Sequence, residues 1–247
     1  MKKIEILGIQ LSNLNYNEVL ERIISLSKNS NHYSSIFTPN VDFLIKANED
    51  TEFKNILNKA DISIPDGMPL IWASKFLGES LKMKVSGSSL FFKLCEIALG
   101  NKIKMFLLGG NIGSAKKACL KINNKYGNII SGYYCPYFGF EKDPQEIKKI
   151  IKIVKNSNTN ILIVGLGAPK QEKFIHYYKN QYQVPLSIAL GGTIDFAAGA
   201  QPMPSDFIKN IGLAWLWRLM REPKRLWRRY LIDDMAFFKL ILKQKLN

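Results

Sequence analysis

Residues 160–172 read NILIVGLGAPKQE and lead from an uninterrupted apolar run into the start of a helix. The run 160–166 has the character of a strand that is buried on both faces. Pro169 lies near the first turn expected for the following helix, where Pro is favoured. A buried strand that passes directly into a helix is the repeating unit of an α/β protein with a parallel sheet.

The same alternation continues along most of the chain. Helical patterns occupy residues 16–28, 41–59, 88–99, 114–126 and 143–155, and strand-like runs occupy residues 34–37, 62–64, 104–108, 129–132, 160–166 and 186–190. The N-terminal residues MKKIEILGIQL also read as a strand and not as a signal peptide. The sequence therefore predicts a mostly parallel α/β sheet with helices on both faces.

Positive charge is concentrated near the C-terminus. The 247 residues carry a net charge of +15, and residues 209–247 supply +7 of it, from ten Lys or Arg and three acids. The composition changes near residue 205, which predicts an α/β domain over residues 1–204 and a basic helical appendage over residues 205–247. A local excess of basic residues indicates an anionic partner, either nucleic acid or a membrane face.

The appendage interleaves arginines with large apolar residues. Residues 215–239 read WLWRLMREPKRLWRRYLIDDMAFFK, and Pro223 is expected to divide this stretch into two helices. Apolar residues on one side and arginines on the other are typical of a helix that lies at a membrane surface. The alternatives are a helix packed on the domain with a solvated charged face, and a helix that binds nucleic acid.

Other features narrow the class of protein. Three cysteines without a CxxC pattern indicate a reduced, cytosolic chain. No run of about 18 uncharged apolar residues predicts a membrane span. With two histidines and no D-x-D, H-x-x-H or paired-cysteine pattern, the sequence predicts neither a metal site nor a bound cofactor.

Polar residues and glycines follow five of the predicted strands. Ligands of open parallel sheets bind outside the carboxyl ends of the strands, so these segments are the candidate site. They are residues 38–40 (TPN), 65–67 (PDG), 109–113 (GGNIG), 165–172 (GLGAPKQE) and 191–196 (GGTIDF). Their convergence at one sheet edge is a stronger signal than any one of them alone.

Each segment also has an ordinary structural interpretation. Residues 109–113 do not match G-x-G-x-x-G, so they predict either a phosphate contact or a tight turn. Lys170 and Gln171 would project from the first turn of a helix, where a cation beside backbone amides suits a diphosphate, whereas Glu172 would complement the helix dipole. Asp66 and Asp195 are each either helix caps or functional carboxylates.

Taken together, these motifs resemble the WecG/TagA/CpsF family of bacterial glycosyltransferases. The resemblance rests on TPNVDFLIKA, ADISIPDGMPLIWASKFLG, VSGSSLF, FLLGG, VGLGAPKQEKFI, GGTIDFAAG and WLWRLMREPKRLWRRY, in this order from about residue 38 to residue 230. It implies a Rossmann-like fold and an inverting, metal-independent transfer from a UDP-sugar. The implied acceptor is a polyprenyl-diphosphate-linked sugar at the inner face of the cell membrane. Family members use N-acetylmannosamine, its uronic acid or other hexoses.

The resemblance also implies roles for single residues. Asp66 matches the proposed general base, and Thr38, Asn40 and Gln171 match polar residues that line the same pocket. Tail arginines thought to meet a diphosphate correspond to Arg218, Arg225 and Arg228. The predicted donor site comprises Lys84, Ser86, Gly109, Gly110, Gly167, Lys170 and Asp195.

Two departures from the family pattern bear on the donor. Lys84 stands where many members have Arg, which keeps the charge and loses bidentate geometry. Residues 201–204 (QPMP) replace a common R-A-P segment, which removes a charge.

Two rival interpretations belong to other classes. A peripheral membrane or RNA-binding module without catalysis would explain the basic tail but not five polar strand ends. A nucleotide-dependent oxidoreductase is disfavoured because the dinucleotide fingerprint is missing. The favoured prediction is a cytoplasmic glycosyltransferase, held peripherally at an anionic membrane face, with no nucleic-acid partner and with its oligomeric state left open.

Overall fold

A parallel sheet forms the centre of the molecule. The computed structural model describes residues 1–202, 204, 208, 213–228 and 234–246, apart from the side chains of Ala214, Arg218 and Arg225. Among these residues, six parallel strands pair in the order β4-β3-β8-β7-β5-β6. They are β3 Ser34–Phe37, β4 Ile62–Ser63, β5 Met105–Gly109, β6 Ile130–Tyr134, β7 Ile161–Gly165 and β8 Leu186–Ala189.

Helices connect the strands and cover the sheet. They are α1 Tyr16–Ser27, α2 Val41–Glu49, α3 Thr51–Asn58, α4 Met68–Phe76, α5 Gly87–Ala98, α6 Ser114–Tyr126, α7 Pro144–Lys155, α8 Lys170–Tyr182, α9 Thr193–Ala198, α10 Ala214–Arg221, α11 Pro223–Arg228 and α12 Met235–Leu246. A short 3₁₀ turn, Phe140–Lys142, precedes α7. The predicted α/β class with helices on both faces is confirmed, and the fold is Rossmann-like.

The central strands β5 and β7 are apolar along their length because both faces are covered. In β7, Leu162 and Val164 belong to the core shared by α2, α3, α4, α7, α8 and α12, whereas Ile161 and Ile163 belong to the core shared by α1, α5, α6 and α9. All four side chains are fully buried. Period-two alternation therefore sends successive apolar residues into opposite layers.

The N-terminal segment differs from the prediction of one strand. It forms an antiparallel hairpin of β1 Lys3–Ile6 and β2 Ile9–Ser12. Leu7 and Gly8 join the two strands with φ angles of 52° and 74°. Positive φ at both central residues is the geometry of a tight hairpin turn, which Gly favours at the second position.

One predicted helix is two helices. Residues 41–59 divide at Asp50, whose extended backbone ends α2 and begins α3. The Asp50 carboxylate accepts a hydrogen bond from the backbone N–H of Phe53 at 2.9 Å. This cap satisfies an otherwise unpaired donor of α3, so a new helix begins where the apolar periodicity alone suggests continuation.

The last helix packs on the α/β core. Phe237 and Ile241 of α12 are buried in the layer that contains α2, and Gln244 Oε1 accepts a hydrogen bond from Leu7 N at 2.9 Å. Earlier in the tail, α10 ends at Arg221 and α11 begins at Pro223, the division that the proline predicts. The domain boundary at residue 205 stays a prediction.

Candidate functional site

The candidate site lies where connections leave the sheet in opposite directions. After β3 the chain enters α2 in one layer, whereas after the neighbouring β8 it enters α9 in the other layer. Such a switch point opens a crevice at the carboxyl ends of the strands. Thr38 follows β3 there, and its buried Oγ1 donates a hydrogen bond to Ala189 O at 3.2 Å.

Asp66 follows the edge strand β4 beside this crevice. Its backbone N–H donates to Pro39 O at 2.8 Å, which ties the end of β4 to the end of β3. Gly67, with φ 118° and ψ 146°, occupies the N-cap position of α4. Asp66 is therefore not the N-cap residue; it is half-buried, and its backbone lies beside Pro39, the residue between Thr38 and Asn40. Asn40 itself caps α2 by accepting from Phe43 N at 3.4 Å.

The start of α5 completes this side of the crevice. Val85 N donates to Pro65 O at 2.9 Å, which places the segment of Lys84 and Ser86 against the end of β4. A Cβ built on Gly87 would lie 3.7 Å from Thr38 Oγ1 and 3.9 Å from Thr193 Oγ1. The amides that begin α5 therefore lie close to the ends of both β3 and β8, and helix N-termini favour anionic ligands.

Glycines allow the loops after β5 and β7 to touch. In the strand register Gly109 stands opposite Gly165, and a Cβ on Gly109 would lie 2.4 Å from Gly165 O. Gly110 N donates to that same carbonyl oxygen at 2.8 Å. A Cβ on Gly110 would lie 2.8 Å from Ile194 Cγ2, so close packing explains why both residues following Leu108 are glycine. Their predicted contact with the donor stays a prediction.

Asp195 reaches this pair of loops from α9. Its buried carboxylate accepts a hydrogen bond from Asn111 N at 2.8 Å. Gly192 holds the N-cap position of α9, so Asp195 does not cap its own helix. Asp195 instead joins the end of β8 to the loop after β5.

Gln171 joins two further loops. Its buried Oε1 accepts hydrogen bonds from Gly167 N at 3.2 Å and from Gly191 N at 3.1 Å. Its Nε2 donates to Glu172 Oε1 at 2.6 Å. The structure thus brings Thr38, Gln171, Gly167, Gly191 and Asp195 together along one edge of the sheet.

Glu172 is a site residue that sequence reasoning missed. Its side chain is fully buried, and burial raises the pKa of its carboxyl to about 7, against the opposing effect of the Gln171 hydrogen bond. Lys46 and Asp42 of α2 are the charged groups that act on it. A carboxylate in the first turn usually complements the helix dipole at the surface. Lys46 of α2 also donates to Ala168 O just before α8, and no local pattern reveals such a contact between remote segments.

Lys170 has different partners from those expected. Its Nζ forms an ion pair with Glu141 and lies 4.7 Å from the centre of the Phe138 ring. Both partners follow β6, at the far end of the sheet from Asp66. Its predicted contact with a diphosphate stays a prediction.

The tail arginines are described only in part. Arg228 is exposed on α11, whereas the side chains of Arg218 and Arg225 lie outside the described residues. In the described ranges, no group of three or more His, Cys, Asp or Glu could hold a metal ion. No described helix is both long and apolar enough to cross a membrane.

The fold and the crevice define a Rossmann-like protein with a candidate ligand site built from strand-end carboxylates, amides and glycines. The sequence model of the glycosyl transferase WecG/TagA/CpsF family matches residues 4–247, and the chain belongs to this family. The protein is accordingly a glycosyltransferase of the hexosyltransferase type.

Curated relatives share most of their length with this chain. Proteins named N-acetylglucosaminyldiphosphoundecaprenol N-acetyl-beta-D-mannosaminyltransferase match from three organisms. The Bacillus subtilis protein is 30% identical over 213 residues, which cover 86% of this chain and 80% of the relative. The Bacillus spizizenii protein is 31% identical over 79% of this chain and 74% of its own. The Staphylococcus aureus (strain MW2) protein is 26% identical over 92% of this chain and 87% of the relative.

Proposed function

We propose that this protein transfers N-acetylmannosamine, or a related hexose, from a UDP-sugar to a polyprenyl-diphosphate-linked sugar, with inversion at the anomeric carbon and without a metal ion. The acceptor class follows the names of the relatives, whose acceptor is a diphosphoundecaprenol-linked N-acetylglucosamine. The observation that carries the proposal is the place of Asp66 at the carboxyl end of β4, where its N–H bonds to Pro39 after β3 and the preceding Pro65 accepts from Val85 at the start of α5.

Asp66 is the general base in this proposal. The acceptor hydroxyl oxygen attacks the anomeric carbon as its proton passes to the Asp66 carboxylate, and the bond from that carbon to the UDP oxygen breaks. A positioned carboxylate of this kind typically contributes on the order of 10² to 10⁴ in rate. Its neighbour Asn40 is fixed as a helix cap, so the amide lines the pocket from a rigid element.

Positive charge and backbone dipoles stabilise the departing diphosphate. The candidates are Lys84, the first amides of α5, and the tail arginines Arg218, Arg225 and Arg228. Electrostatic groups that are already oriented toward developing charge are usually the largest contribution to such a step. We rank Lys170 below Lys84 because its ion-pair partner Glu141 follows β6, at the far end of the sheet from Asp66.

The same proposal places the protein at the inner face of the cell membrane. Phe238, Leu242 and Leu246 are exposed and recur every four residues along α12, with Lys239, Lys243 and Lys245 interspersed. Apolar side chains flanked by lysines are suited to the boundary of an anionic leaflet. A lipid-linked acceptor is confined to the same boundary, so membrane contact would raise its local concentration.

A donor screen tests the proposed function. The full chain is incubated with a short-chain polyprenyl-diphosphate N-acetylglucosamine and with UDP-N-acetylmannosamine, UDP-N-acetylglucosamine or UDP-glucose. We expect a disaccharide product by mass spectrometry with the first donor, and NMR should show the anomeric configuration opposite to that of the donor. Product with retained configuration would refute the inverting mechanism. The proposed reaction itself would be refuted if none of the donors gave product while the protein was folded.

A further inference from the structure

The Gln171 amide has one orientation that satisfies all its neighbours. Gly167 and Gly191 each present a backbone N–H, which needs an acceptor, so Oε1 faces them. The Nε2 end then faces Glu172 Oε1 at 2.6 Å. A carboxyl oxygen without a proton can only accept, so Glu172 selects the NH₂ end of the amide and leaves the oxygen for the two glycines.

Burial of the Glu172 carboxyl lowers the stability of the fold, which indicates that the residue has a role other than stabilisation. The side chain is fully buried, and among the residues that the structure describes its Oε2 has no hydrogen-bond partner. The nearest charged groups, Lys46 and Asp42, already pair with each other at 2.9 Å. A buried carboxyl that satisfies only one of its oxygens is destabilising by itself, and an apolar side chain of similar size would avoid that burden.

We propose that Glu172 is a positioning residue of the site. Its carboxyl fixes the orientation of the Gln171 amide, and Gln171 in turn holds the loop of Gly167 and the loop of Gly191 at a set separation. That these loops contact a UDP-sugar rests on the proposed function, whereas the bonds between Glu172, Gln171 and the two loops do not. Glu172 touches no reacting atom in this proposal and acts only through Gln171.

Hydrogen–deuterium exchange tests the proposal without any assumption about the substrate. Glu172→Met keeps the length of the side chain and removes the hydrogen-bond acceptor, so the side-chain amide of Gln171 can flip. We expect amide exchange in residues 165–168 and 190–193 to become at least tenfold faster. Glu172→Gln offers an amide oxygen at the same place and should restore slow exchange in both segments. The turn at residues 127–129 serves as an internal control and should not change.

Two further variants keep the test decisive. Glu172→Asp retains a carboxyl but withdraws it by one methylene, so it should also accelerate exchange in both segments. In a Gln171→Met background, Glu172→Met should add no further acceleration there, because the route through Gln171 is already lost. Wild-type exchange at both segments in folded Glu172→Met or folded Glu172→Asp would overturn the proposal.

Calorimetric titration with UDP separates this inference from the proposed function. If the wild-type protein binds UDP, we expect Glu172→Met to bind it about tenfold more weakly and Glu172→Gln to recover most of the affinity. If the wild-type protein does not bind UDP, the proposed donor is wrong, and the exchange measurement still decides the role of Glu172.

Discussion

Asp195 and Asn111 join the segments that follow β8 and β5, which are distant in sequence, because the Asp195 carboxylate accepts the backbone N–H of Asn111 at 2.8 Å. We expect Asp195→Ala to lower the free energy of unfolding by about 1–3 kcal/mol, since it leaves a donor without an acceptor. Asp195→Asn keeps an oxygen and should retain most of the stability. Urea denaturation measures both effects.

The same pair of variants shows whether Asp195 only holds a loop or also binds the donor. If Asp195 also contacts the UDP-sugar through its charge, Asp195→Asn should bind UDP about tenfold more weakly although it is stable. Asp50→Asn is the matched control, because Asn is also a good N-cap and α3 lies away from the crevice. If Asp195→Asn binds UDP with wild-type affinity, the role of Asp195 is only to hold the loop of Asn111.

Removal of the proposed base should abolish turnover and spare the fold. We expect Asp66→Asn to reduce the rate of transfer by about 10² to 10⁴, the usual contribution of a general base. The melting temperature should change little, because Gly67 holds the cap position of α4. UDP affinity should also be close to that of the wild type. Near-normal turnover together with a lowered melting temperature would assign Asp66 a structural role.

Transfer should not depend on added divalent metal. Asp42, one of the acids that could in principle contribute to a metal site, pairs with Lys46 on α2, and Asp195 accepts from Asn111. We expect equal rates after dialysis against EDTA and after addition of Mg²⁺ or Mn²⁺. Activity lost in EDTA and restored by either ion would contradict the proposed mechanism.

The free energy of unfolding should decrease as the pH rises, because Glu172 loses its proton. Burial raises the pKa of this carboxyl from 4.5 to about 7, so between these values the unfolded chain has lost a proton that the folded chain retains. The contribution is fully present below about pH 4.5 and is lost as the pH rises to about 7. Its size is on the order of 3 kcal/mol. Denaturation midpoints measured from pH 5 to 8 should slope downward in the wild type and more weakly in Glu172→Gln. An equal slope in both proteins would exclude Glu172 as the source.

The membrane contact and the active-site role of the tail can be tested apart. Truncation near residue 205 would also remove Phe237 and Ile241 from the core, so substitutions of exposed residues are the better test. We expect Phe238→Glu with Leu242→Glu to weaken binding to anionic vesicles at least tenfold, since each apolar side chain contributes about 1.5–3 kcal/mol when buried. Leu120→Glu, an exposed leucine of α6 in the other layer, is the control. Equal binding of all three proteins would argue against α12 as the contact.

The tail arginines should matter even without a membrane. We expect replacement of Arg218, Arg225 and Arg228 together by Ala to reduce transfer to a short water-soluble acceptor by about 10² or more, as for lost electrostatic groups in other active sites. If this variant transfers sugar at the normal rate, Lys84 and the start of α5 must stabilise the diphosphate. The tail would then serve only as a membrane anchor.

Much of the fold can be predicted from the sequence because the central strands β5 and β7 are short apolar runs. Both faces of β7 are covered, so its uninterrupted apolar run and its short length identify it as a strand. The break at Asp50 was harder to predict, since a cap within an apolar pattern competes with continuation of the helix. The Leu7–Gly8 turn was missed for a similar reason, as one residue of a two-residue turn gives a weak local signal.

The site was less accessible to prediction than the fold. Residues at strand ends could be assembled because parallel strands end at one edge. The buried state of Glu172 and the pairing of Lys170 with Glu141 depend on which helix or loop covers each side chain. Such contacts between remote segments have no local pattern, so the sequence suggested a surface role for Glu172 and a ligand role for Lys170.

The packing of α12 on the core constrains the arginine-bearing segment that precedes this helix. Leu7 and Gln244 tie the last helix to the first hairpin, while α9 is built into the opposite layer. The stretch between Pro202 and Asp234 is therefore attached to the fold at both ends. The entropy of closing such a segment is already spent when the domain folds. The local concentration of its arginines around the fold is then independent of how dilute the protein is.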